Sequence, residues 1–184
     1  MSKRIALLSA AAFGALALTG TIIAPVSAQE KTVMVGGAAM FPSKNIIQNA
    51  VHSKDHTTLV AAVKAAGLVD TLEGTGPFTV FAPTNAAFGK LPAGTVDTLV
   101  KPENKATLTR ILTYHVVPGR LEASDLSDGK KLKTVEGEEL TVRKADGKVM
   151  IVDAKGGSAT VTIPNVNQSN GVIHVVDTVL MPAS

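Results

Sequence analysis

Hydrophobic periodicity changes character once along this chain, close to Tyr114. Before that point apolar residues recur at helical spacing. In "HTTLVAAVKAAG" Leu59, Val60, Val63 and Ala66 fall on one face, Ser53 or Asp55 suits the N-terminal cap, and Gly67 sits where a helix stops. "NIIQNAV" from Asn45 opens the helical region, and Thr95 suits the cap of "VDTLV". Pro102 starts a longer helix carrying Leu108, Ile111 and Leu112 on one side. From Tyr114 onward the pattern turns to strands. Leu140 and Val142 alternate before Asp146-Gly147, Val149 and Ile151 alternate after it, and an Asp-Gly pair so placed predicts a hairpin. "ATVTIPNV" predicts another strand, and "NQSNG" turns the chain into a last one, "VIHVVDTVLM". Helices first and strands later imply an α+β fold, a mainly antiparallel sheet with helices packed at one side.

The ends of the chain read differently. Lys3 and Arg4 precede an uncharged run from Ile5 to Ile23, and "APVSA" closes on small residues. Residues 1–28 are therefore expected to be a secretory signal cleaved after Ala28. Residues 29–44 then form an N-terminal arm and residues 45–182 the folded domain. The expected location is secreted or periplasmic, with no membrane span after cleavage. The chain has no cysteine, which excludes a disulfide framework and a lipidated cysteine.

Its 18 Lys and Arg face 15 Asp and Glu, a near balance once Lys3 and Arg4 are set aside. With no tryptophan and one tyrosine as well, neither a phosphate-attracting field nor a stacking surface for bases is present, so nucleic acid is not an expected partner.

Candidate chemistry is sparse. His52 and His56 stand four apart, the spacing of a helical zinc pair, but no third ligand accompanies them, so two solvated histidines and no metal are expected. No Gly-x-Ser-x-Gly elbow occurs, and Glu136, Glu138 and Glu139 read as a solvated turn. No catalytic residue and no cofactor are expected. In "FAPTNAAF", Thr84 or Asn85 suits a helix cap, with Phe81 and Phe88 anchoring the two sides of the turn. His115 and His174 each precede a Val-Val pair. Read as strand residues covered on both faces, they are expected in the core with their ring nitrogens on backbone or hydroxyl partners.

Three blocks in order carry a resemblance: "FTVFAPTNAAF" (Phe78 to Phe88), "ILTYHVVPG" and "SNGVIHVVDTVLMP" (Ser169 to Pro182). Together they resemble the fasciclin-like domain family, whose modules recur in fasciclin, periostin and related matrix proteins. A single such domain behind a signal is similar to the short secreted bacterial members. The resemblance implies a β-wedge or sandwich flanked by helices, with Phe81, Pro83, Thr84, Asn85, Phe88, Asn170, Gly171, His174 and Asp177 as its structural motif. It also implies a non-enzymatic role in cell adhesion or extracellular-matrix contact, the partner being a cell-surface or matrix protein of unspecified identity.

In matrix members a Tyr-His pair flanked by Leu or Ile serves integrin-mediated adhesion. Tyr114-His115 matches it, with Ile111 and Leu112 before. A second family motif, Glu-Pro-Asp-Ile, corresponds to Ile163 to Val166, where Asn165 replaces the acid and Val166 the isoleucine. Loss of that carboxylate argues against integrin-type contact. Adhesion predicts an exposed patch around Tyr114. The other readings are a small exported ligand-binding or hydrolytic protein with a cleft near His115, and an envelope scaffold protein.

Overall fold

The structure, a computed structural model, describes residues 31–183, so the expected signal and its cleavage point lie outside the described residues. The fold is α+β. Two short strands come first, β1 (Val33–Val35) and β2 (Ala38–Met40), paired antiparallel. The stretch expected as an arm is thus a hairpin, and it has a physical reason to dock: Val35 and Met40 are buried in the main core.

A helical region follows, comprising α1 (Ile46–Ala50), α2 (Thr57–Ala66) and α3 (Val69–Glu73). Asn45 caps α1 in a reciprocal capping box with Gln48. Gly67 ends α2 in the left-handed conformation, as its place in the sequence predicts. After β3 (Phe78–Pro83) come α4 (Asn85–Gly89), α5 (Thr95–Leu99) and α6 (Lys105–Tyr114). Thr95 is the first residue of α5, and Gly94 with φ 79° takes the cap position.

The remaining strands are β4 (Val116–Pro118), β5 (Lys131–Lys133), β6 (Glu139–Ala145), β7 (Lys148–Val152), β8 (Ser158–Gln168) and β9 (Gly171–Val176). Of the nine strands among the described residues, seven form one sheet in the order β4-β3-β9-β8-β7-β6-β5. Its neighbours are antiparallel except β3 and β9, which run parallel next to the β4 edge. The two edges meet where the Val135 N–H donates to the Val116 carbonyl at 2.8 Å, so the sheet curls into a nearly closed wedge. β8 bends to allow this, with two register shifts against β9 and Asn165 at φ 56° within the second.

Alternation along β3 and β9 divides the core in two. Val80, Ala82, Ile173 and Val175 face the helices, joining Ile47, Val63, Leu108 and Leu112. Phe81 and Val176 face the inside of the wedge with Leu126, Leu140, Val142, Ile151 and Leu180. Both faces of β3 and β9 are therefore apolar, as expected of strands covered on two sides. Gly171 is fixed by this geometry: a Cβ there would collide with the Phe78 carbonyl of the parallel neighbour.

Candidate functional site

The apolar stripe of α6 runs through Leu108, Ile111 and Leu112 at helical spacing, and one further step reaches His115. The helix follows that stripe. Tyr114 is its last residue and His115 its C-cap at φ −84°, correcting the assignment of both to a strand. Pro118 then lacks the N–H that a longer helix would need, and the chain passes into β4.

This junction is inside the protein. Ile111 and Leu112 are 4 % exposed, Tyr114 0 % and His115 2 %, so the exposed patch expected around Tyr114 is not there. The Tyr114 hydroxyl accepts from the Ala154 N–H at 2.9 Å and donates to the Glu139 carbonyl at 3.3 Å. His115 Nδ1–H donates to the Ile111 carbonyl at 2.8 Å, while Nε2 accepts from the Leu180 N–H at 3.0 Å. One acceptor and one donor leave room for a single ring proton. Burial drives the His115 pKa down to about 4, against the opposing pull of the Ile111 carbonyl and the Asp153 carboxylate.

His174 repeats the arrangement from β9. Its Nε2–H donates to the Leu121 carbonyl at 2.7 Å, and Nδ1 accepts from the Asn165 N–H at 3.3 Å. The ring stacks on Phe81 with centroids 5.7 Å apart. Burial lowers its pKa, opposed by the Leu121 carbonyl and by Glu122. His115 and His174 are thus core residues with committed nitrogens, and a hydrolytic role for His115 would need a free one.

Asn165 has a conformational reason to be asparagine, since its left-handed backbone is one that Asn tolerates better than most residues. Its side-chain oxygen accepts from the Ala123 N–H at 2.7 Å. Val166, at 1 % exposure, belongs to the core. Of the six residues in the expected contact set, Asn165 alone stands half-exposed. It borders a surface hollow of about 360 Å³ with Lys31, Glu122 and Asn167 on its rim. Exposed Arg120 donates to the Asn167 side-chain oxygen at 2.6 Å beside it. Sequence reasoning missed Arg120, Glu122 and Asn167, because the bend in β8 that gathers them depends on sheet closure.

The motif residues are architectural. Thr84 caps α4, accepting from the Ala87 N–H at 3.2 Å. Asn85, the alternative cap, serves another helix: its oxygen accepts from the Thr58 N–H at 3.0 Å in the first turn of α2, and its amide donates to the Lys54 carbonyl at 2.9 Å. Pro83, Phe81 and Phe88 are buried. Asn170 donates to the Leu72 and Gly74 carbonyls at the end of α3 and accepts from Ile46 N–H at the start of α1. The Asp177 carboxylate accepts from the Thr160 N–H at 2.8 Å and lies 3.7 Å from Lys90. Asn85→Ala is expected to cost about 1–2 kcal/mol, because a helix cap and a tertiary bridge go together. A urea midpoint equal to the parent's would reject the bridging role.

The two histidines of the candidate zinc pair part company. His52 is exposed, whereas His56 is buried at 4 % exposure with Nδ1 on the Ser53 hydroxyl at 2.8 Å, correcting the reading of both as solvated. Ser53 and Asp55 do not cap α2 with their side chains. Among the described residues no three His, Cys, Asp or Glu side chains gather as a metal site. The turn carboxylates are organised too: Glu136 meets Arg110 at 2.6 Å, and Glu138 accepts from the Ala183 N–H at 2.8 Å.

Residues 54–182 match the family described as Fasciclin domain. Protein sll1483 of Synechocystis sp. is 46 % identical over 181 residues, covering 98 % of this chain and 97 % of that protein. The immunogenic protein MPB70 of Mycobacterium bovis is 35 % identical, with 99 % and 98 % covered. The cell surface glycolipoprotein MPB83 of the same species is 46 % identical over 115 residues, covering 62 % of this chain and 48 % of that protein. Among solved structures, a FAS1 domain pair from the insect cell adhesion molecule Fasciclin I aligns with TM-score 0.68 at 21 % identity. That alignment covers 77 % of this chain and 52 % of the pair, so this chain spans about half its length.

Proposed function

The chain belongs to the fasciclin domain family, and from that premise we propose that it works as an exported, non-enzymatic adhesion or matrix-interaction domain whose first residue after processing is Gln29. Relatives named for a cell-surface location and for cell adhesion support the reading. The observation that carries the contact surface is the hollow at the bend of β8, where polar side chains border Val33 and Pro42. Arg120 and Asn167 pair there in the open, beside Lys31, Glu122 and Asn165. Beneath them His174 ties the Leu121 carbonyl to the Asn165 N–H, so the rim is held by the core and needs little ordering when a partner arrives.

The partner proposed is a polar surface segment of a cell-surface or matrix protein. Tyr114 and His115 are buried and form no part of this surface. Beads coated with the purified exported protein are expected to retain cells. The double variant Arg120→Ala, Asn167→Ala is expected to lose most of that retention at an unchanged melting temperature. A parent that retains no cells ends the adhesion reading. Undiminished retention by the folded variant places the contact elsewhere on the domain.

A further inference from the structure

Between the helical layer and the sheet the core leaves a void of about 50 Å³. Its walls are apolar and come from every surrounding layer: Met40 of the hairpin, Ile47 of α1, Val63 of α2 and Ile173 of β9. Ser53 and His56 also line it. His56 Nδ1 is engaged by the Ser53 hydroxyl, yet Nε2 is buried with no hydrogen-bond partner. The Ala82 carbonyl lies near enough to the ring to oppose the effect of burial, but not in hydrogen-bond geometry with Nε2. Buried polar atoms are seldom left in this state, which points to an occupant.

Water fits the space, since a molecule of the liquid takes roughly 30 Å³, but a buried water wants two to four polar partners. Nε2 is the one ring position here with nothing bound, so a guest that brings its own apolar body suits the walls better. An anionic headgroup does not suit them. No lysine or arginine lines the void, and a carboxylate would lose its hydration without compensation. Burial, opposed by Ala82 and Asp55, holds the imidazole neutral. A hydroxyl both donates and accepts, so it satisfies Nε2 in either tautomer.

We propose that this void binds a neutral aliphatic alcohol, free or as the hydroxyl end of a lipid, with the hydroxyl on His56 Nε2 and the chain against Ile47 and Val63. A cavity of roughly 150 Å³ holds benzene, so one a third that size takes the hydroxyl and the first methylenes. The rest of the chain leaves past Val60 and Leu68, lining residues that are half-exposed. Met40 borders both this void and the hollow at the bend of β8.

The test is an NMR titration of the full exported protein, labelled at histidine nitrogens and aliphatic methyls, with 1-pentanol and with 1-chloropentane. Pentanol should shift His56 Nε2 and the Ile47 and Val63 methyls saturably, binding about three- to tenfold tighter than the chloride through its hydrogen bond. His56→Phe should abolish that preference, and because the comparison is already decisive on the parent, an unfolded variant leaves the result standing. Equal affinity for the two probes, shifts confined to surface residues, or a bound water that neither probe displaces would overturn the site.

Discussion

Tyr114→Ala is expected to destabilise the domain by about 3–5 kcal/mol, the usual cost of deleting a buried aromatic ring. Tyr114 is 0 % exposed and lies in the wedge core with Phe81, Leu140 and Leu180. Removing it opens a cavity and also strips the Ala154 N–H and the Glu139 carbonyl of their partner. At about 2–4 °C per kcal/mol for a domain of this size, the melting temperature should fall by roughly 6–20 °C. Tyr114→Phe isolates the second component, since it keeps the ring and loses the hydroxyl. Its cost should be about 1–3 kcal/mol, that of an orphaned buried N–H. Thermal and urea unfolding measure both. If the alanine variant melts within about 2 °C of the parent, Tyr114 is not the core residue its burial implies. The result also bears on adhesion, because lost adhesion in Tyr114→Ala would report a damaged fold and not a deleted contact.

What could be read in the sequence was what local chemistry decides. Asp146 at φ 52° and Gly147 at φ 74° form the turn expected between β6 and β7. Gly67 stops α2, Asn45 starts the helical region, and Thr84 caps α4. Each is a property of a few adjacent residues. The parallel pairing of β3 with β9 was not legible, because it joins residues almost a hundred apart and no local period encodes which strands will meet. β5, "KLK", was missed because a single buried leucine between exposed lysines gives no pattern to detect. Asp177 to Leu180 looked like a continuing strand, yet the ladder stops at Val176: the Asp177 N–H still reaches the Thr160 carbonyl, but the Leu180 and Met181 N–H groups serve His115 and Asp153.

The site misled for a related reason. "LTYHVVPG" lies where a helical and a strand pattern overlap, and an apolar run there fits either. What separates them is the i, i+3, i+4, i+7 stripe ending on His115, which marks the run as helical up to that residue.

Acidification should destabilise the protein well before its carboxylates titrate. His115 has a folded pKa of about 4 against 6.5 in the unfolded chain. Above pH 6.5 the ring is neutral in both states, and stability does not depend on it. Between 6.5 and 4 the unfolded chain holds a proton that the folded chain refuses, so stability falls as pH falls, by about 1.4 kcal/mol per unit at full effect. Across the whole window His115 accounts for about 3 kcal/mol. Below pH 4 the folded ring also takes the proton and its contribution levels off.

The hydrogen bonds explain the refusal: a second proton on His115 would point Nε2–H at the Leu180 N–H. The facing Asp153 carboxylate softens the effect without reversing it. His174 meets the same conflict at the Asn165 N–H, with Glu122 opposing, and His56 is lowered by burial with Asp55 opposing. All three losses therefore add in the same direction. Urea unfolding at pH 7.5, 6.0 and 5.0 is the measurement, a range that stays above the ordinary carboxylate pKa values. His115→Gln, whose amide can donate and accept, should be less stable at pH 7.5 but lose less between 7.5 and 5.0. A parent midpoint that does not move across that range, or an equal slope in His115→Gln, would mean that the ring is not held neutral by the fold.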